Sequence, residues 1–147
     1  MQLHEKNAHQ ARIEEIEEFI NEVLKEDLKR LELCVNQFNE EIMEYMQLKN
    51  TLQTFLDNMT DGYKTQVNIG SNVFMQARVK QMDKILVNVG KEVYMEMGIR
   101  EAIRFSDVRV RILTKMSEVV REESVKKRSQ IKMSLIAISE REKLLQD

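Results

Sequence analysis

The stretch from Tyr63 to Met97 constrains the fold of this 147-residue chain more than any other. Apolar and polar residues alternate along it, and a period of two is typical of half-buried β-strands. Gly70-Ser71 and Gly90-Lys91 fit the central residues of two-residue turns that have glycine first. The stretch therefore predicts two β-hairpins, at about 63–79 and 84–97.

These hairpins cannot complete a domain by themselves, because four short strands leave two faces to cover and edges that can pair with another chain. The segments on either side run away from the middle of the chain and cannot cover every side of the sheet. We therefore predict that the hairpins are an assembly surface completed by other subunits. The residues predicted to form it are Val67, Ile69, Val73, Met75, Ile85, Val87, Val89, Val93 and Met95.

The segment before the hairpins predicts one long helix, at about residues 11–60, preceded by a polar and frayed stretch. Apolar residues recur there in alternating steps of three and four, which is typical of a coiled-coil seam. They are Leu28, Leu31, Val35, Phe38, Ile42, Tyr45, Leu52, Leu56 and Met59, with Lys49 in one seam position. Upstream, Ile13, Ile16, Ile20, Leu24 and Leu28 are separated by 3, 4, 4 and 4 residues. The extra steps of four predict a stutter that locally unwinds the supercoil.

A second long helix is predicted after the hairpins, at about residues 98–146, with Gly98 as its N-cap and Glu101 in its first turn. Its predicted seam is Ala102, Phe105, Ile112, Met116 and Val119, interrupted by Arg109, and it resumes at Ile131, Leu135, Ile138 and Leu145. The run 121–130 between these two parts is polar. It contains the basic cluster Lys126-Lys127-Arg128, for which we predict a solvated helix face.

The two helical segments carry opposite charge. Residues 1–60 have 6 basic and 13 acidic side chains, whereas residues 98–147 have 12 basic and 8 acidic ones. Similar length and opposite charge favour an antiparallel pair. The predicted fold is therefore α+β, a single domain over residues 1–147 in which a long antiparallel coiled coil carries two central β-hairpins.

That arrangement brings residues near 13–20 beside residues near 135–145, at a coil tip far from the strands. We predict client or partner contact there by Ile13, Ile16, Phe19, Ile20, Val23, Leu135, Ile136 and Ile138. Phe19, Val23 and Ile136 lie beside the predicted seam and are the best candidates for exposed contact. For the others, continuation of the seam is the simpler interpretation.

Composition and motifs exclude several classes of function. The sequence contains no phosphate-binding glycine-rich loop, no Cys/His pair and no metal-ligand cluster, so we expect neither an enzyme nor a cofactor. A single cysteine, Cys34, excludes an intrachain disulfide and is expected in the core. The net charge of −2 favours neither nucleic acid nor membrane, and no membrane span or signal sequence is recognisable. We therefore expect an intracellular protein.

Several sequence words resemble the α-type subunits of the prefoldin family, which have two helices around two hairpins. QVNIGSNVF at 66–74 and KILVNVGKEVYMEM at 84–97 resemble the family's hairpins, and EAIRF at 101–105 resembles the start of its second helix. YMQLKN at 45–50 and GSNVF at 70–74 resemble a prefoldin-like branch. The second turn has a single glycine before Lys91, where core prefoldins usually have Gly-x-Gly, and this also favours that branch.

The resemblance implies a hetero-hexamer in which α-type hairpins build a β-barrel platform and the coiled coils hold non-native or assembling client proteins. The implied partners are other α- and β-type prefoldin or prefoldin-like subunits, clients, a RuvB-like ATPase co-chaperone complex and transcription machinery. The implied locations are cytoplasm and nucleus, with no direct nucleic-acid or membrane partner. Two alternatives stay open: a core prefoldin subunit that delivers unfolded actin- or tubulin-like clients to a chaperonin, and a coiled-coil adaptor without chaperone activity.

Overall fold

The computed structural model describes residues 2–58, 63–79 and 83–146. In chain order the elements are α1 (Gln2–Phe19), a π-helical turn (Ile20–Leu24), α2 (Lys25–Asn58), β1 (Tyr63–Gly70), β2 (Val73–Val79), β3 (Lys84–Gly90), β4 (Val93–Gly98) and α3 (Ile99–Gln146). Strands β1 and β2 form one antiparallel hairpin, and β3 and β4 form another. The predicted α+β class with two hairpins between long helices is confirmed, while the predicted seam residue Met59 lies outside the described residues.

The first helix begins at Gln2, so the prediction of a frayed stretch before residue 11 is wrong. Contacts with the end of α3 explain the difference. The Lys6 ammonium donates a hydrogen bond to the carbonyl of Leu145 at 3.3 Å, and Arg141 Nη1 lies 3.2 Å from His9 Nδ1. These contacts hold a polar helical segment that lacks apolar periodicity.

The predicted stutter is a single π-helical turn, Ile20–Leu24. The Lys25 N–H donates to the carbonyl of Ile20, five residues earlier, where an α-helix would use a carbonyl four residues earlier. The wider turn keeps Ile20 and Leu24 on the same side, and both are buried. The π-helical turn therefore accommodates the extra four-residue steps in the apolar pattern.

The structure divides into two compact units, and the prediction of a single domain stays a prediction. One unit is the described part of Met1–Glu40 and Thr114–Asp147. Its core contains Ile13, Ile20, Leu24 and Ile138, with Ile16, Ile131 and Leu145 packed against it. This confirms the predicted antiparallel neighbourhood of residues 13–20 and 135–145.

The other unit is Glu41–Leu113, and it joins the second hairpin to the helices. Its core contains Leu52 of α2, Val87 of β3, Met97 of β4 and Ala102 of α3. Lys49, at a predicted seam position, forms an ion pair with Asp107 at 2.6 Å. Phe55 packs against this core. Leu56, which was predicted to lie in the seam, is exposed.

The seam of α3 differs from the predicted one. Ile112, Met116, Val119 and Leu135 are exposed, and the buried positions are Ala102, Ser106, Leu113, Ser117, Ser124 and Ile138. The Ser106 hydroxyl donates to the carbonyl of Ala102 and the Ser124 hydroxyl to that of Arg121, each at 2.8 Å. Because the helix backbone accepts these hydrogen bonds, the buried hydroxyls of Ser106 and Ser124 are paired. Among the described residues, the buried Ser117 hydroxyl has no hydrogen-bond partner.

Candidate assembly and partner-binding surfaces

The two hairpins repeat one nine-residue motif, VNIGSNVFM at 67–75 and VNVGKEVYM at 87–95. Both shift register between the asparagine and the glycine, so each contains a β-bulge at the same position. In both, the asparagine Oδ1 accepts a hydrogen bond from the glycine N–H at 2.9 Å. The same local sequence therefore builds the same local structure twice.

The turns correct the predicted assignment of their central residues. These are Ser71-Asn72 and Lys91-Glu92, all with positive φ between 48° and 60°, as in type I′ turns. Gly70 and Gly90 come one position earlier, in the bulges, with φ of 124° and 122°. Glycine is needed there because side chains are strained at such a φ.

The repeated valine of the motif has two different environments. Val87 is 2% exposed and packs in the core with Leu52 and Ala102, whereas Val67 is 44% exposed. Ile85 and Val89 are half-buried beside Val87. Val87 is therefore covered by its own chain, and its predicted role in assembly stays a prediction.

The other predicted assembly residues are open to solvent. Exposed apolar side chains stand at Val67, Ile69, Val73, Met75, Val93 and Met95. In the first hairpin Val67 lies opposite Met75, so their side chains share one face. That hairpin therefore presents an uncovered apolar face.

The predicted coil-tip residues fall into two groups. Ile13, Ile20 and Ile138 are buried and Ile16 is half-buried, so these four belong to the core of the unit. Phe19, Val23, Leu135 and Ile136 are exposed. A groove of about 490 Å³ runs beside the π-helical turn, and Phe19, Val23 and Met133 are the exposed apolar residues that line it.

Comparison with known proteins assigns this architecture to a protein family. Residues 24–143 match the family model described as Prefoldin subunit. The chain belongs to the prefoldin family. It is 31% identical over 119 residues to Protein UXT homolog of Dictyostelium discoideum, covering 81% of this chain and 71% of that protein. It is 27% identical over 124 residues to Protein UXT of Rattus norvegicus, covering 84% and 79% respectively.

One further relative agrees with the α-type assignment of this prefoldin subunit, and a solved structure shows the same fold. It is 30% identical over 97 residues to Prefoldin subunit alpha of Archaeoglobus fulgidus, covering 66% of this chain and 65% of that protein. Its fold matches a chain of the filamentous prefoldin from Methanocaldococcus jannaschii, known from cryo-EM, with a TM-score of 0.63 and 22% identity. That match covers 79% of this chain and 94% of the other. The relatives named Protein UXT confirm the resemblance to the prefoldin-like branch.

Sequence reasoning missed three exposed apolar residues in the two described hairpins of this prefoldin subunit. Phe74, Leu86 and Tyr94 stand at positions that the period of two assigned to the polar faces. Phe74 lies opposite Asn68, and Tyr94 lies opposite Asn88. The repeated motif could have revealed Phe74 and Tyr94, because an aromatic residue occurs at the same motif position in both hairpins. Both hairpins therefore carry apolar groups on two faces.

A cluster around Tyr45 fixes the second hairpin on the helices, although its periodicity predicted only a seam position. The Tyr45 hydroxyl donates to the carbonyl of Asn88 at 3.0 Å. The Phe105 ring packs edge-on against the Tyr45 ring, with centroids 5.9 Å apart. The Arg109 guanidinium lies 5.6 Å from the ring centre and 3.8 Å from the Glu41 carboxylate. The arginine that interrupted the predicted seam is therefore a cation–π partner.

The basic cluster is partly solvated, as predicted, because the Lys126 and Arg128 side chains are exposed, whereas Lys127 is half-buried in an ion pair. Lys127 pairs with Asp27 at 3.3 Å and Arg128 with Glu32 at 2.6 Å, both across the helix pair. Lys127 and Asp27 are half-buried. A polar pair at such a position favours one register of the two helices.

Two structural features are absent from the described residues. No helix there has the length and apolar character needed to cross a bilayer. No group of three or more His, Cys, Asp or Glu side chains is arranged to hold a metal ion within residues 2–58, 63–79 and 83–146.

Proposed function

We propose that this chain is an α-type subunit of a hetero-oligomeric, prefoldin-like co-chaperone complex. It assembles through its β-hairpins and holds client or partner proteins with its coiled coil. The observation that carries the proposal is the first hairpin, in which large apolar side chains are exposed on both faces. Val67 and Met75 stand on one face and Phe74 on the other.

Physical chemistry supports assembly at this hairpin. An exposed apolar patch on a protein surface marks an interaction site, and an unpaired strand edge is a template for pairing with another chain. In the second hairpin, the chain's own helices cover the equivalent valine, Val87. Among the described residues, none covers the face around Val67 in this way, so a neighbouring subunit is the natural partner for it.

Family membership supports the rest of the proposal. Prefoldin subunits form oligomers with one another, and the relatives include proteins named Protein UXT and Prefoldin subunit alpha. We extend the proposal to a RuvB-like ATPase complex as partner, to a second role as transcription cofactor, and to cytoplasm and nucleus as locations. Exposed Phe19, Val23, Leu135 and Ile136 are the proposed contacts for clients.

Co-expression with prefoldin and prefoldin-like subunits tests assembly. Met75→Asp places a carboxylate on the apolar face of the first hairpin, and we expect recovery of partner subunits to fall at least about tenfold, because an unpaired charge is costly to bury. The matched control is Gln66→Asp, which changes an exposed polar residue on the other face. Helical circular dichroism should be unchanged in both variants. Equal recovery of partners with Met75→Asp and with the unchanged chain would refute assembly through this face.

The same purification separates the alternatives. Prefoldin-like subunits among the recovered partners support the proposal, whereas core prefoldin subunits alone support the alternative that the similarity to Prefoldin subunit alpha favours. The purified complex is then mixed with a denatured client. Suppression of client aggregation supports holding, and an unchanged aggregation rate would identify a non-chaperone adaptor.

A further inference from the structure

The groove beside the π-helical turn contains exposed apolar side chains and adjoins an acidic helical surface. Phe19 and Val23 are four residues apart on the first helical segment and are 49% and 42% exposed. Met133 of α3, on the other side of the groove, is 69% exposed. Because Ile20 and Leu24 are buried in the core, Phe19 and Val23 lie immediately beside the helix interface. The groove is thus an apolar surface that lies directly beside a buried core.

The helix that carries Phe19 and Val23 is strongly acidic. Residues 14–26 contain six glutamates and one lysine. Glu15 is neutralised by Arg12, but within the described residues Glu17, Glu18, Glu22 and Glu26 form no ion pair. Glu22 follows Phe19 by three residues and Glu26 follows Val23 by three, so each carboxylate stands on the flank of its apolar neighbour.

The α3 side of the groove does not balance these charges. Lys126 donates a hydrogen bond to Glu123 at 2.7 Å, and this contact holds the pKa of the Glu123 carboxyl below its usual value. Lys127 is paired with Asp27. The remaining polar residues along this side, Ser129, Gln130 and Ser134, are neutral. Lys127 is thus the only charged residue that lines the described groove, and its charge is paired, whereas Glu22 and Glu26 on the adjoining helical surface form no ion pair among the described residues.

We propose that this groove binds cationic amphipathic helices of client proteins, with large apolar residues about four positions apart and lysine or arginine beside them. The apolar residues of the client pack against Phe19, Val23 and Met133, and its cations lie opposite Glu22 and Glu26. Charge complementarity of this kind sets specificity and association rate more than it sets affinity. The inference rests on the proposed holding function and names the class of segment that is held.

Three fluorescent peptides of about 15 residues test the proposal on the full chain, with binding measured by fluorescence polarisation. The first has leucines four apart with lysines beside them. The second has glutamates in place of the lysines, and the third is a scrambled form of the first. We expect the first to bind at least about tenfold more tightly than either of the others, and to lose affinity between about 20 and about 200 mM salt.

Paired variants locate the binding. Glu22→Lys with Glu26→Lys should weaken binding of the cationic peptide by about tenfold and strengthen binding of the acidic one. The control is Glu40→Lys with Glu44→Lys, which makes the same change in net charge at two exposed positions, 18 residues further along the helix. Phe19→Ala should also weaken binding by about tenfold, whereas Met43→Ala, at an exposed apolar residue outside the groove, should not.

Equal loss of cationic-peptide affinity in the two charge-reversed variants would show that net charge alone attracts the peptide, and would overturn the groove as the site. Equal affinity of cationic and acidic peptides would overturn the proposed class of client. Either result would leave partner recovery and suppression of client aggregation unchanged. Failure of those two measurements would instead count against the proposed function itself.

Discussion

Val67 and Val87 form a matched pair, because they hold the same position in the repeated motif but differ in burial, at 44% and 2% exposed. Val87→Ala removes two methyl groups from the core formed with Leu52, Met97 and Ala102. Transfer of these groups to water costs about 1.6 kcal/mol, and the remaining cavity raises the loss of unfolding free energy to about 2 kcal/mol. Val67→Ala removes the same atoms from an open surface and should cost under about 0.5 kcal/mol.

Urea denaturation of the isolated chain measures both changes, and hydrogen exchange over residues 84–98 and 63–79 locates them. We expect Val87→Ala to increase exchange in the second hairpin, and Val67→Ala to leave exchange unchanged in both. The chain must be compared at several concentrations, because self-association through the open hairpin would stabilise it. Equal losses of unfolding free energy in the two variants would refute the assignment of Val87 to the core and of Val67 to an open face.

Two further predictions concern contacts between elements. Tyr45→Phe removes the hydroxyl that donates to the carbonyl of Asn88 and should lower the free energy of unfolding by about 1 kcal/mol, with faster exchange in β3, whereas Tyr94→Phe at an exposed ring should change neither. Asp27→Lys and Lys127→Asp should each lower the free energy of unfolding, and the double variant should recover about 0.5–1 kcal/mol of the combined loss, less at high salt. Strict additivity of the two single changes at low salt would show that the pair does not couple the helices.

Secondary-structure elements could be predicted where the local sequence determines the backbone conformation. Alternation over 63–79 and 84–97 predicted both hairpins, because a strand that is half-covered needs a period of two. The steps of four around Ile20 predicted a register shift, and the π-helical turn is found there. The turns were assigned one residue too early, because glycine was expected in the turn itself. Glycine is instead required in the bulge, where φ is 124° or 122°. The turn conformation is adopted by residues other than glycine, namely Ser71, Asn72, Lys91 and Glu92.

The seam of α3 was less predictable, because the helix carries two stripes with similar spacing. Ile112, Met116 and Val119 form the more apolar stripe, yet they are exposed. The buried stripe contains Ser106, Ser117 and Ser124, and the hydroxyls of Ser106 and Ser124 bond to the helix backbone. A pattern that counts only apolar residues cannot find such a seam. The start of the first helix was missed for a related reason, since hydrogen bonds to α3 hold it.

The two hairpins show most clearly that a local sequence does not determine which of its faces is buried. The motif that begins at Val67 and the one that begins at Val87 have the same bulge, the same asparagine-to-glycine hydrogen bond and the same turn. The difference between them is supplied by residues distant in sequence. Tyr45 holds the carbonyl of Asn88, and Leu52 and Ala102 cover Val87. Removing that cover would expose a second apolar face like the first, so the helices determine which hairpin is anchored and which keeps its apolar face exposed.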